Sequence, residues 1–171
     1  MAGEPTLIKR VYVVDTSYLL ELFKVDGFAS KPAIRAVRAR FKHALEQKFP
    51  IYVPLPCLFE LGNHIADVPD GGRRDDLARK LSGTIREGFE EGTPWIILPW
   101  ASGNDAQPLL DSFSTEWAKQ KIGVTDAFTI EEARRLKKKY RSSLGYVVHI
   151  WTKDRRLKAN EPDHEPDPFV N

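Results

Sequence analysis

Arg10-Val-Tyr-Val-Val-Asp15-Thr-Ser-Tyr-Leu-Leu20 reads as a buried strand running directly into an acidic residue and then into a helix. Val11, Val13 and Val14 are β-branched and Tyr12 is aromatic, the composition of a strand covered on both faces, as strands of parallel sheets are. Asp15 therefore falls at the strand's carboxyl end. From Thr16 to Phe23, residues Tyr18, Leu19, Leu20, Leu22 and Phe23 recur at mostly helical spacing, and Thr16 or Ser17 is suited to cap the helix. Open α/β sheets bind ligands where their strands end. Asp15 is thus either a helix cap or a ligand-handling group, and the rest of the chain has to decide between them.

A chain of 171 residues with 42% apolar content suits one domain, residues 1–171, with room for a real core. No apolar run reaches the ~18 residues of a membrane span, and no basic start leads into a hydrophobic stretch, so the expected location is the cytoplasm and no membrane partner is implied. Cys57 is the only cysteine, which excludes an internal disulfide and a multi-cysteine zinc site. A net charge of +2 does not by itself announce a nucleic-acid protein.

Pro32 suits the first position of a second helix reaching about Gln47, with Ile34, Val37, Phe41, Ala44 and Leu45 inward and Arg35, Arg38, Arg40, Lys42 and Lys48 outward. Ile51-Tyr52-Val53 is short enough to be a second parallel strand, and Pro56 to Asp67 reads as a helix carrying Glu60 on its first turns. Glu60 and His64 have a zinc-compatible spacing, but a third ligand is missing. The turn Pro69-Asp-Gly-Gly72 precedes a helix from about Arg73 to Glu90 with Leu77, Leu81, Ile85 and Phe89 spaced by four, weakened locally by Gly83. Trp95–Leu98 is a third strand. A helical segment between Ser102 and Gly123, centred on Pro108 to Lys121, follows.

Gly123-Val-Thr-Asp126-Ala-Phe-Thr-Ile starts another helix, with Thr125 as a cap and Asp126 in a first turn whose dipole favours an acid. It ends in Lys137, Lys138, Lys139 and Arg141. Tyr146–Trp151 is a strong fourth strand leading to Thr152-Lys-Asp154-Arg-Arg-Leu157. The core thus spans about 10–157, and the tail 158–171, rich in Pro, Asp and Glu, is expected to be irregular.

Asp15, Glu60, Asp126 and Asp154 each have a structural explanation alone, yet a parallel sheet brings all four to one edge. Converging carboxylates repel unless a multivalent cation neutralises them, and oxygen ligands suit Mg²⁺ or Mn²⁺. Such an ion activates water and shields charge on a phosphodiester under attack. The hydroxyls of Thr16, Ser17, Thr125 and Thr152 are placed to orient the ligands or the water. Lys153, Arg155, Arg156 and Lys158 flank the last acid, and with the Arg73 and Lys137 clusters they form candidate contacts for RNA phosphates.

The pattern Val-Val-Asp15-Thr-Ser, a helical Glu60, Thr125-Asp126-Ala127 and Thr152-Lys-Asp154-Arg-Arg-Leu157 resembles the PIN-domain family and, in size and order, its VapC-type toxins, over about residues 10–157. The resemblance implies a three-layer α/β/α sandwich with a mostly parallel central sheet and a Mg²⁺- or Mn²⁺-dependent endoribonuclease acting on single-stranded RNA. It also implies the four acids as metal ligands, Thr16, Ser17, Thr125, Thr152 and Arg155 as supporting or substrate residues, a small antitoxin as partner, and a homodimer. A PIN nuclease with a processing role, or a silent PIN-like binding module, fits the same pattern. A haloacid-dehalogenase-like phosphatase would want a second Asp where Ser17 stands, and a receiver domain would want paired acids after the first strand and an Asp after a central one.

Overall fold

The computed structural model describes residues 8–99 and 103–170. The first strand, β1 (Lys9–Val14), lies inside a four-stranded sheet between β2 (Ile51–Pro54) and β4 (Tyr146–Trp151), with β3 (Ile96–Leu98) outside β2. The order is β3-β2-β1-β4 and every pairing is parallel, with Val14 opposite Trp151 and Val13 opposite Tyr52. Parallel neighbours require helical crossovers. These are α1 (Thr16–Phe23) and α2 (Lys31–Glu46) between β1 and β2, and α3 (Leu55–Ala66) and α4 (Gly71–Glu90) between β2 and β3. From β3 to β4 run α5 (Gly103–Ser112), a π turn at Phe113–Trp117, a 3₁₀ turn at Ala118–Gln120, and α6 (Val124–Lys139). A short α7 (Arg155–Lys158) follows β4.

The pleat of β1 explains the layers. Val11 and Val13 pack with α6 and Trp117 on one face, while Tyr12 and Val14 pack with α1, α2, α3 and Leu77 of α4 on the other. All four are essentially inaccessible. The fold is therefore the expected three-layer α/β/α sandwich, and its sheet is parallel throughout. Because the chain leaves β1 toward β2 and β3 and later returns to β1's other side as β4, the crossovers change direction between β1 and β4. A crevice opens at such a switch point beyond the strands' carboxyl ends.

Several local expectations shift. The hydroxyl of Ser30 accepts from the Ala33 amide at 3.4 Å and starts α2 one residue before Pro32. Asp70 accepts from the Arg73 amide at 2.6 Å, so α4 begins at Gly71, and it passes Gly83 unbroken. Pro108 lies inside α5 rather than near a helix start, while Ser102, the expected limit of that segment, and the terminal Met1 and Asn171 lie outside the described residues. Trp95 is buried but precedes β3. Leu45 is exposed because it stands about 100° around α2 from Ala44, which continues the buried row of Val37 and Phe41. Phe89 is also exposed: Gly88 next to it is the point of approach to β3, where an added Cβ would sit 2.7 Å from Ile97 Cδ1.

The tail adds no strand among the described residues, but it is not loose. Asp163 Oδ2 accepts from the Val148 amide at 2.7 Å, Glu161 Oε2 from the Ile150 amide at 3.1 Å, and the Asp163 amide donates to the Val148 carbonyl at 3.1 Å. Side-chain carboxylates thus occupy the edge of β4 where a fifth strand would pair. Glu165 is buried between Lys158 (2.6 Å), Arg40 (3.1 Å) and the Trp151 indole N–H (3.3 Å). Among the described residues no helix is long and apolar enough to cross a membrane.

Candidate active site

Asp15 directly follows β1 and caps α1. Its Oδ2 accepts from the Ser17 amide at 3.2 Å, the Ser17 hydroxyl at 2.7 Å and the Thr152 hydroxyl at 2.9 Å. The cap is Asp15 itself, not Thr16 or Ser17 as the sequence suggests, because the side chain that accepts the early amide belongs to the last extended residue. The cap and ligand readings are therefore not exclusive. Thr152 comes from the end of β4, so this one oxygen ties the two strands that flank the switch point. Burial pushes the Asp15 carboxyl upward, and the Ser17 and Thr152 hydrogen bonds pull it back.

Glu60 lies on the second turn of α3, after β2. The Thr16 hydroxyl donates to Glu60 Oε2 at 2.7 Å, while the Cys57 carbonyl is farther from the same hydroxyl, at 3.4 Å. A hydroxyl has one proton, and the shorter, charge-assisted interaction takes it. Thr16 consequently links α1 to α3. Cys57 itself is buried against the Thr129 hydroxyl at 3.5 Å, and burial followed by the Asp15 charge raises its thiol far above the thiolate range. It is a packing group.

Asp126 is in the first turn of α6 and Asp154 caps α7, with Asp154 Oδ1 accepting from the Arg156 and Leu157 amides at 2.7 and 3.1 Å. Gly123, not Thr125, is the cap residue of α6. The Thr125 carbonyl accepts the Thr129 hydroxyl at 2.9 Å, so Thr125 acts through its backbone rather than as a cap. The Asp126 carboxyl is raised to about 7, first by burial and then by the charges of Asp15, Asp154 and Glu60, against the Gly123 backbone hydrogen bond. Asp126 thus bears the charges of the other three expected acids, each of which stands in the residues that follow β1, β2 or β4.

Among the described residues no lysine forms an ion pair with any of the four. Nor do three or more of their His, Cys, Asp and Glu side chains stand close enough to hold an ion as they lie. In donor chemistry and charge the set fits a hard divalent cation. The Glu60–His64 spacing leads elsewhere: His64 packs its ring on Phe28 with centroids 4.4 Å apart.

One acid that supports this edge carries only a faint sequence signal, a single charge inside an apolar helical run. Glu21, on α1 among Leu19, Leu20 and Phe23, is almost fully buried; its Oε1 takes the Lys153 ammonium at 2.5 Å and its Oε2 the Ser30 amide at 3.0 Å. Lys153 is thus engaged rather than free for phosphate, and its amide donates to the Ser17 hydroxyl at 2.9 Å. Lys158 is likewise consumed by Glu161, Glu165 and the Ile150 carbonyl, Lys137 by Asp163, and Arg73 by Asp26 and the last carbonyls of α1. The Lys137–Lys139 run also ends α6 about 20 Å from Asp126, at the other end of the helix. Arg155 and Arg156 are solvent-exposed and follow Asp154 directly in the chain. No protein-family model matches the chain, and no curated protein matches it significantly.

Proposed function

We propose that this protein is a Mg²⁺- or Mn²⁺-dependent endoribonuclease of the PIN type that cleaves single-stranded RNA. The observation that supports the reading is that Asp15, Glu60 and Asp154, from three separate elements, all bear electrostatically on Asp126, while Lys153 and Lys158 beside Asp154 are engaged by other acids. Asp15, Glu60, Asp126 and Asp154 are the residues that would hold the ion. When bound, such an ion lowers the pKa of water and offsets charge on a phosphodiester under in-line attack. The chain's own part is positioning. Ser17 and Thr152 fix Asp15 Oδ2, and Thr16 fixes one oxygen of Glu60. Asp126, whose carboxyl is raised to about 7 by burial and the neighbouring acids, would have to give up any proton it carries in order to hold the ion. Arg155 and Arg156 stand beside Asp154, where they would meet the substrate's phosphates.

The VapC-like order of motifs adds a biological role: the toxin of a toxin–antitoxin pair, neutralised by a small protein covering the acid edge in the groove framed by α1, α2 and α3, and working as a homodimer. Purified protein incubated with total RNA and Mn²⁺, with fragment ends mapped, tests the chemistry. Discrete cuts that vanish with chelator and in Asp15→Asn and Asp126→Asn variants are the expected result. Undiminished cutting in either variant would remove the metal-nuclease reading. Growth arrest on expression, relieved by a small protein encoded beside it, tests the toxin role, and harmless expression of an active enzyme points to RNA processing instead.

A further inference from the structure

Beside the acid edge lies a surface of the opposite charge. Lys24, Lys31, Ile34, Arg35 and Arg38 line an open concavity of about 440 Å³ between the end of α1 and the first turns of α2. Several exposed basic side chains on the helices have a carboxylate within their own helix: Lys42 with Glu46, Arg79 with Asp76, Arg134 with Glu131, Arg135 with Glu132. Among the described residues Lys24, Lys31, Arg35 and Arg38 have no carboxylate partner, and the neighbouring Asp26 is occupied by Arg73 at 3.6 Å.

Three further features favour an anion there. The first turn of α2 supplies the positive end of a sixteen-residue helix. The C-terminal carbonyls of α1, which would repel an anion, are covered by Arg73, whose Nη2 donates to the Lys24 carbonyl at 3.0 Å. Lys80, seated over the Phe23 ring at 4.6 Å, has its ammonium pushed down by burial and then by Arg38, Arg73 and Lys24, so mutual repulsion among these cations is unrelieved.

The concavity is also coupled to the acid edge. The buried Glu21 carboxylate holds Ser30, the residue before Lys31, on one oxygen and Lys153, the residue before Asp154, on the other. That bridge keeps the start of α2 on the side of the sheet where the four acids gather. Asp15 and Lys24 flank the eight residues of α1, about 13–14 Å apart along its axis.

We propose that the concavity formed by Lys24, Lys31, Arg35 and Arg38 seats backbone phosphates of the RNA strand whose scissile bond lies at the acid edge. The identity of the strand rests on the nuclease reading above. A repulsive acid centre cannot by itself attract RNA, and this patch supplies the attraction at a fixed remove from the chemistry.

The test is titration of a fluorescein-labelled oligouridylate by anisotropy, in EDTA and over a range of salt, with the whole chain and with Arg35→Gln/Arg38→Gln and Arg35→Glu/Arg38→Glu. Both arginines are exposed, so melting curves should overlay. The expected result is at least tenfold weaker binding in the charge-reversed variant and a log–log salt slope smaller by about 1.4 in the glutamine variant, ~0.7 for each phosphate that is no longer neutralised. Cleavage of the dinucleotide uridylyl-uridine in Mn²⁺, too short to reach the patch, should be unchanged. Equal affinities and slopes in all three proteins would overturn the proposal, as would a parent that ignores the oligouridylate but binds an acidic peptide through these arginines. Binding that is lost in the variants, in a parent that never cleaves, would support the phosphate seat while removing the nuclease reading.

Discussion

Two groups of carboxylates in this molecule are built from the same residue types and behave in opposite ways. In the tail, Glu161, Asp163 and Glu165 meet Lys158, Lys137 and Arg40, and the first two take amides left open along β4. At the carboxyl edge of the sheet, Asp15, Glu60, Asp126 and Asp154 meet hydroxyls, amides and the field of one another. The first group is electrically closed, and removing a member should weaken the fold. The second is open, and removing a charge should relieve it. An acid's sequence context does not separate the two cases; its partners do.

The largest expected effect is in the closed group. Glu165→Ala leaves Lys158 and Arg40 without a shared partner and the Trp151 N–H without an acceptor. Loss of about 3–5 kcal/mol, the usual cost of breaking a buried ion pair by removing one partner, is expected in urea denaturation. A change within experimental error would mean that the tail does not hold the β4 edge in solution.

Next comes metal. An ion that binds only the folded acid edge stabilises by RT ln(1 + [L]/Kd), about 2.7 kcal/mol at a hundredfold excess over Kd. Mn²⁺ should raise the melting temperature of the parent more than that of Asp126→Asn, and should leave the change caused by Glu165→Ala unaltered. Equal metal responses of parent and Asp126→Asn would exclude Asp126 from the ion site.

A smaller effect of opposite sign is expected from Asp126→Asn without metal. The folded carboxyl titrates near 7, above an ordinary aspartate, so the folded form holds a proton that the unfolded chain has released. Its contribution is fully present below the ordinary aspartate range and is lost as pH rises through about 7. The variant should therefore match the parent near pH 4 and exceed it by ~1–2 kcal/mol at pH 8, after solvent screening. A constant difference across that window would assign Asp126 to a helix-end role alone.

The smallest is Ser17→Ala. It removes a 2.7 Å hydrogen bond to Asp15 and the acceptor of the Lys153 amide. The cost should be roughly 1 kcal/mol. Since Ser17 holds the Asp15 carboxyl down against burial, the acid limb of any cleavage profile should also move to higher pH. An unmoved limb would show that Asp15 does not titrate in the activity.

Much of this arrangement is legible in the chain. Val11, Val13 and Val14 around Tyr12 require a strand covered on both sides, and the spacing of helical segments between strands requires parallel crossovers, because neither pattern has another ready way to bury its apolar atoms. Differences arise where one local signal competes with a tertiary approach. Thr125 has a cap's chemistry, yet Gly123 is already extended at the start of α6. Phe89 follows the period of four, but Gly88 offers β3 a closer approach and turns the ring outward.

The strands, the crossovers and the four acids at element ends can be read from the chain alone, since each follows from neighbours within a few residues. Which charges meet is decided only when the chain is folded. Lys153 and Lys158 read alike, as cations flanking Asp154, until Glu21 of α1 arrives from the far end of the sequence to bind the first and the tail folds back to bind the second through Glu161 and Glu165. Arg35 and Arg38 read as a basic helix face that suits either solvent or phosphate, and no carboxylate arrives among the described residues. Coulomb energy falls with distance and grows with burial, and chain folding sets both for residues far apart in sequence.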